Sequence, residues 1–331
     1  MSGSMRPLMW VGFAVGGIAV VAVAVLAGMI AFGTSDPPPY LASISEPFGK
    51  VDFHDLPPVQ TTPARDGTPI AFRVWQPLTR VTPGLIVIAI HGSSASSASL
   101  HALGKALNAE PLVVYAPDIR GHGGTGRRSD IDYADQLDDD LADFVAFIRQ
   151  RHPAARLVLV GFSSGGGFAL HAAAMPVGAK FERVVLISPF LGPGAPTVRT
   201  RGDAWAKPFL PRIFGLLFLD KLGVHVFDHL PTLAFAIAPD NPADLTRFYS
   251  FRLMRAFGTW DYAGDLRGAR APLAVVVGAK DELFFADLFA PTVHAVRIDV
   301  PVTVVPDLDH IEMITDPRAV PAIAAAIRGS S

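Results

Sequence analysis

The chain of 331 residues contains no cysteine. That excludes disulfides, thiolate metal sites, a cysteine nucleophile and lipid attachment through a thiol. A strong charge of either sign is missing too: 28 Lys and Arg stand against 30 Asp and Glu, a formal net of −2. Such a balance creates no field that recruits nucleic acid, and no basic patch interleaved with aromatics is present. No G-x-G-x-x-G follows an apolar run, and no histidine or carboxylate spacing suits a metal. The expected cofactors and metals are therefore none. Repeats are absent beyond residue 40, and oligomeric state leaves no signature in the chain.

Charge is missing most completely between Pro7 and Ser35. Leu8 to Phe32 is almost wholly apolar, and as a helix it reaches roughly 37 Å, enough for a hydrocarbon core of about 30 Å. Trp10 suits the headgroup level at one end. A cleaved signal peptide has a shorter apolar region, roughly 7–15 residues, and a small-x-small site. Met29-Ile30-Ala31-Phe32 is a poor context for one. The expectation is a tail and retained transmembrane anchor over residues 1–35, with secretion after cleavage as the alternative. Arg6 and the terminal amine precede the span, whereas Asp36, Glu46 and Asp52 follow it. The positive-inside rule then keeps the N-terminus cytoplasmic and exports the rest. Asp36-Pro37-Pro38-Pro39 opens a stiff linker, residues 36–49.

Beyond it, short apolar runs alternate with helical patterns, which predicts an α/β fold with a mostly parallel sheet between helices. The clearest strands are Leu85–Ile90, Leu112–Ala116, Leu157–Val160, Arg183–Ile187, Leu273–Val277 and Thr303–Val305. Lys50–Asp55 and Ile70–Trp75 form a weaker antiparallel pair. Helical patterns cover Ser97–Asn108, Ala134–Arg151, Ser164–Ala174 and Pro317–Ile327. The rhythm stops in residues 189–266, which are rich in Pro, Phe and Leu and too long for a simple connection. They predict a helical cap dividing the core into residues 50–188 and 267–331.

After the strand Leu157–Val160 stands Gly161-Phe162-Ser163-Ser164-Gly165, followed by small helical residues. A G-x-S-x-G turn between strand and helix is so tight that its centre is strained and its neighbours tolerate almost no side chain. It lifts the Ser163 hydroxyl to a helix N-terminus, where developing negative charge is favoured. A mere Gly-Ser turn is the bland alternative, and Ser164 the adjacent competing nucleophile.

Here the chain resembles the α/β-hydrolase superfamily, and within it the lysophospholipase and monoacylglycerol-lipase-like serine hydrolases, over roughly residues 65–328. His91-Gly92-Ser93-Ser94 is similar to the oxyanion loop and Asp118-Ile119-Arg120-Gly121-His122-Gly123 to the D-x-R-G-x-G turn. Gly278-Ala279-Lys280-Asp281 and Asp309-His310 close two late strands in the family's order. The resemblance implies an α/β-hydrolase fold and a triad of Ser163, His310 as base and Asp281 as its acid, with Glu282 as fallback. It implies oxyanion donors at the backbone N–H groups of Ser164 and Ser93. His310 and Asp281 also each follow a strand at the edge where Ser163 emerges. Against these stand a structural histidine and an aspartate that merely caps the next helix.

Phe162 and the cap residues Phe209 and Phe214 are the candidate substrate contacts, although aromatics at helical spacing also serve as a cap's own core. The expected substrate is a hydrophobic or lipid-like carboxylic ester, and the expected partner surface is a membrane. An acyltransferase or peptidase would use the same triad. A tethered binding protein would need none, and haloalkane chemistry would want Asp at the elbow.

Overall fold

The structure, a computed structural model, describes residues 5–76, 84–109, 112–199, 205–238 and 245–329; within residues 5–15 only the side chain of Trp10 is described. Helix α1 (Met5–Phe32) precedes a single turn, α2 (Ala42–Ser45), and a 3-10 turn, Glu46–Lys50. Strands β1 (Gln60–Pro63), β2 (Pro69–Trp75) and β3 (Leu85–Ile90) lead to α3 (His101–Ala109), β4 (Val113–Pro117) and α4 (Gln136–Arg151). Then come β5 (Arg156–Phe162), α5 (Ser164–Ala174) and β6 (Arg183–Ile187).

The long insertion holds β7 (Ala206–Pro208), α6 (Leu210–Lys221), β8 (Pro231–Phe235), β9 (Phe248–Ser250), α7 (Phe251–Ala256) and α8 (Tyr262–Gly268). The chain closes with β10 (Leu273–Gly278), α9 (Ala286–His294), β11 (Val302–Val305), α10 (Glu312–Thr315) and α11 (Val320–Arg328).

Eight strands form one sheet in the order β1-β2-β4-β3-β5-β6-β10-β11. Pairing is antiparallel at β1–β2 and β2–β4 and parallel from β4 to β11. The central strands are continuous apolar runs because both faces are covered. On one face Ile86, Leu159 and Leu186 meet Phe144 of α4, Phe168 of α5 and Phe289 of α9. On the other, Val87, Val158 and Val185 meet Leu103 of α3, Met313 of α10 and Ile323 of α11. In this parallel arrangement β3, β4, β5, β6, β10 and β11 deliver their C-terminal ends to the same edge, where α/β sheets bind ligands.

Three expectations change, and a fourth is not shown. The partner of β2 is Gln60–Pro63, not Lys50–Asp55. The cap is not wholly helical, since β7, β8 and β9 make a three-stranded antiparallel sheet. The linker 36–49 is not a free spacer: Ile44 is buried in the cluster that holds Leu100 and Met313. Among the described residues, no helix is long and apolar enough to cross a membrane, so the expected span of α1 is not shown.

The C-terminal half of α1 packs on the cap. Ile30 joins Ile213, Leu216, Leu219 and Phe251 in a third cluster. The helices approach closely because Gly215 has no side chain; a Cβ there would lie 2.9 Å from the Ile30 side chain. Buried Arg212 donates to the Ile30 and Ala31 carbonyls at 2.7 and 3.0 Å, and to Pro231 at 2.9 Å. It satisfies two of the carbonyls that a helix end leaves without intrahelical partners.

Candidate active site

Ser163 sits between β5 and α5 with φ 55° and ψ −120°, a left-handed conformation rare for a side chain other than glycine. The surroundings hold it there. Its N–H donates to the Ile187 carbonyl at 2.9 Å, and its carbonyl accepts from Gly166, Gly167 and Phe190 at 2.9–3.1 Å. Gly165 is required by close approach, because a Cβ would drive into the His91 and Ile90 carbonyls.

The His310 Nε2 lies 3.0 Å from the Ser163 Oγ, and its Nδ1 lies 2.8 Å from Asp281 Oδ2. All three residues are buried. An ionised Asp281 only accepts, so Nδ1 carries the proton and Nε2 is free to take the serine proton. Asp281 is fixed independently: its Oδ1 accepts from the Leu283 and Phe284 N–H groups at 3.0 and 2.9 Å. The capping and imidazole-facing roles weighed as alternatives thus coexist, one on each oxygen. Glu282, the fallback, instead accepts the His310 backbone N–H at 3.0 Å. Asp309 and Glu312 bond each other's N–H groups and so brace the loop that carries the ring.

The His310 ring lies between Phe162 and Phe284, with centroids 4.8 and 5.2 Å away. Burial alone pulls its pKa down. The charge and hydrogen bond of Asp281, with the charges of Glu282 and Asp309, outweigh this and leave it above 6.5.

Ser93 lies in the loop after β3 and lines the cavity with Ser163, and Ser164 opens α5. The Ser93 hydroxyl accepts from Trp205 Nε1 at 2.8 Å. The next residue ties this loop to the cap: Ser94 N–H donates to the Tyr249 hydroxyl at 2.6 Å, and Ser94 Oγ donates to the Thr246 carbonyl at 2.6 Å. Tyr249 in turn reaches His122 Nε2 at 2.6 Å. The Ile119 and Arg120 carbonyls facing His122 Nδ1 only accept, so the neutral ring carries its proton there and Nε2 accepts from the Tyr249 hydroxyl. His91 is neutral by the same logic, accepting from Ile119 N–H through Nε2. Burial lowers the pKa of both rings. They order the loops and lie outside the proton path. Arg120 is a brace as well, held by Asp140 and Asp66.

A cavity of about 610 Å³ opens on Ser163 and His310. Phe162 lines it, together with residues that sequence reasoning missed: Ile44, Phe48, Trp205, Leu245, Leu283 and Ile314. Phe209 and Phe214 do not. Phe209 is buried at the start of α6, and Phe214 faces outward with more than half of its surface exposed. No local signal separates them, because the register of α6 decides which aromatic turns inward.

Metal spacing was not legible either. The fold nevertheless brings Asp220, His225 and Asp228 together in the cap, one ligand atom each within 4.8 Å, far from the serine in sequence. Asp220 is already engaged by Arg255 at 2.7 Å.

With the fold and this geometry in view, comparison with known proteins is decisive for the family. The family described as Hydrolase_4, serine aminopeptidase S33, matches residues 82–286. The chain belongs to this family.

It is an α/β-hydrolase of the S33 family. It is 30% identical over 124 residues to the monoacylglycerol lipase of Mycolicibacterium smegmatis, covering 37% of this chain and 43% of that one. The chain spans less than half the length of the curated relatives it matches. A soluble variant of monoglyceride lipase from Saccharomyces cerevisiae superposes with a TM-score of 0.63 at 14% identity, covering 85% of this S33 chain and 96% of that chain. A membrane phospholipase A superposes with a TM-score of 0.51 at 19% identity over 98% and 97% of the two chains. Both likenesses are of fold.

Proposed function

We propose that the chain hydrolyses carboxylic esters with an apolar acyl chain, such as a monoacylglycerol or lysophospholipid, through an acyl-enzyme on Ser163. The observation that carries this is the unbroken row Ser163–His310–Asp281, at 3.0 and 2.8 Å, opening into an apolar-lined cavity. His310 takes the hydroxyl proton as Oγ bonds the acyl carbon, and then gives it to the leaving alcohol. The N–H groups of Ser164 and Ser93 face the tetrahedral oxygen, each worth about 2.7–4 kcal/mol. Water, deprotonated by the same imidazole, then releases the acid. Similarity to a monoacylglycerol lipase supports the substrate class.

A fluorophosphonate probe should label Ser163, and p-nitrophenyl acyl esters should show a burst. A Ser163→Ala variant with full turnover would sink the proposal. Faster turnover of an amino-acid p-nitroanilide than of any ester would redirect it to peptide bonds.

The proposal also seats Leu8–Phe32 in a bilayer, with the catalytic domain on the exported side. The absence of charge from Pro7 to Ser35 and the exposed Val20, Val21, Val23 and Val25 support this. Full-length chain that leaves membranes in alkaline carbonate, or a C-terminal reporter active only in the cytoplasm, would overturn it.

A further inference from the structure

The apolar lining of the cavity comes from residues other than Phe209 and Phe214. Ile44, Phe48, Phe53 and Val59 all line the cavity, and all precede the first strand of the sheet. Ile44 is buried although it lies in a single helical turn without a side-chain cap. The 3-10 turn that carries Phe48 packs on α10. Ile311 and Ile314, the first of which directly follows His310, line the cavity beside them and share the buried cluster of Ile44.

The remaining lining is different in kind. Arg73, Asp118, Ser96 and Ser99 add polar groups to the lining. Asp118 is committed to the Ser97 and Gly124 N–H groups at 2.7 and 2.9 Å.

We propose that the segment Ile44–Val59 is the acyl-chain wall of the site, with Ile44 and Phe48, packed beside Ile311 and Ile314, setting the acceptable chain length. This rests on the ester-hydrolase reading above and names the part of the chain that selects the acyl group. The wall is supplied by the stretch joining α1 to the sheet, so it belongs to neither the cap nor the strand–helix core. Each methylene seated against it adds about four-fold to transition-state binding.

The test uses full-length protein in detergent micelles, with p-nitrophenyl acetate, octanoate and dodecanoate. Ile44→Trp fills the wall, and the dodecanoate-to-acetate ratio of kcat/KM should fall at least about ten-fold from that of the parent. Phe48→Ala, at a half-buried position, removes wall and should raise KM for dodecanoate about ten-fold with kcat kept. The rate of fluorophosphonate labelling reports that each variant is folded. Where Ile44→Trp does not label, Phe48→Ala alone decides. A labelling-competent Phe48→Ala with the parent's acetate-to-dodecanoate ratio overturns the proposal. A parent chain that neither labels nor cleaves acetate instead overturns the ester-hydrolase reading, and the wall with it.

Discussion

Replacing Asp281 by Asn tests the proposed proton path through geometry alone, because shape is kept and charge removed. Oδ1 accepts from two backbone N–H groups, of Leu283 and Phe284, while Oδ2 faces His310 Nδ1. An asparagine must place its oxygen where the two N–H groups point, so its NH2 faces the imidazole. Nδ1 then accepts, the ring proton moves to Nε2, and Nε2–H faces Ser163 Oγ, unable to take its proton.

Recovering the working tautomer requires flipping the amide, which leaves two buried donors unpaired at about 1–3 kcal/mol each. The sum, about 2–6 kcal/mol, is a loss of about 30-fold to 10⁴-fold in rate. The assay is kcat for p-nitrophenyl acetate near pH 8, with thermal unfolding to show that the fold is kept. A folded Asp281→Asn variant within three-fold of the parent would refute the reasoning.

The acid limb of kcat/KM should lie above pH 6.5, since the base must be neutral and the Asp281 charge holds its pKa up against burial; Glu282→Gln should move that limb down, read from a pH–rate profile. Tyr249→Phe removes the hydroxyl that joins Ser94 N–H to His122, and should cost about 1–3 kcal/mol in urea unfolding together with a fall in kcat. His171 lies 3.4 Å from both Asp138 and Asp265, whose hydrogen bonds raise its pKa to about 10. Its contribution is fully present below pH 6.5 and is lost as pH rises through about 10. His171→Asn should therefore destabilise by about 1 kcal/mol after solvent screening at pH 6, and the gap in melting temperature should close toward pH 10.

The parts of this molecule legible in its sequence are those fixed locally. β3 and β6 span the residues expected of them, Leu85–Ile90 and Arg183–Ile187, and α5 starts at the residue after the elbow serine. A buried strand and a glycine-bounded bend write their constraints into consecutive residues. The histidine and aspartate were found by their position after late strands, a consequence of every parallel strand ending at one edge.

The misses share the opposite property. β1 is Gln-Thr-Thr-Pro with one buried residue, an edge strand held by its neighbour and without a pattern of its own. The cap strands are only three to five residues long, too short to show a period of two. Ile44 and Phe48 follow a proline run that reads as spacer, and only the distant α10 and Leu100 make them interior. Asp220, His225 and Asp228 meet because α6 ends in a turn that doubles back on itself.

The grip of Arg212 on the end of α1 has a mechanical consequence. The first helix is fastened to the lid side of the molecule through Ile30, Gly215 and that guanidinium, and from Phe32 the chain runs on to insert Ile44 beside the sheet. Residues 33–43 therefore tie the face built on α6 to the face of the sheet that buries Ile44, and a pull on α1 is borne first by α6.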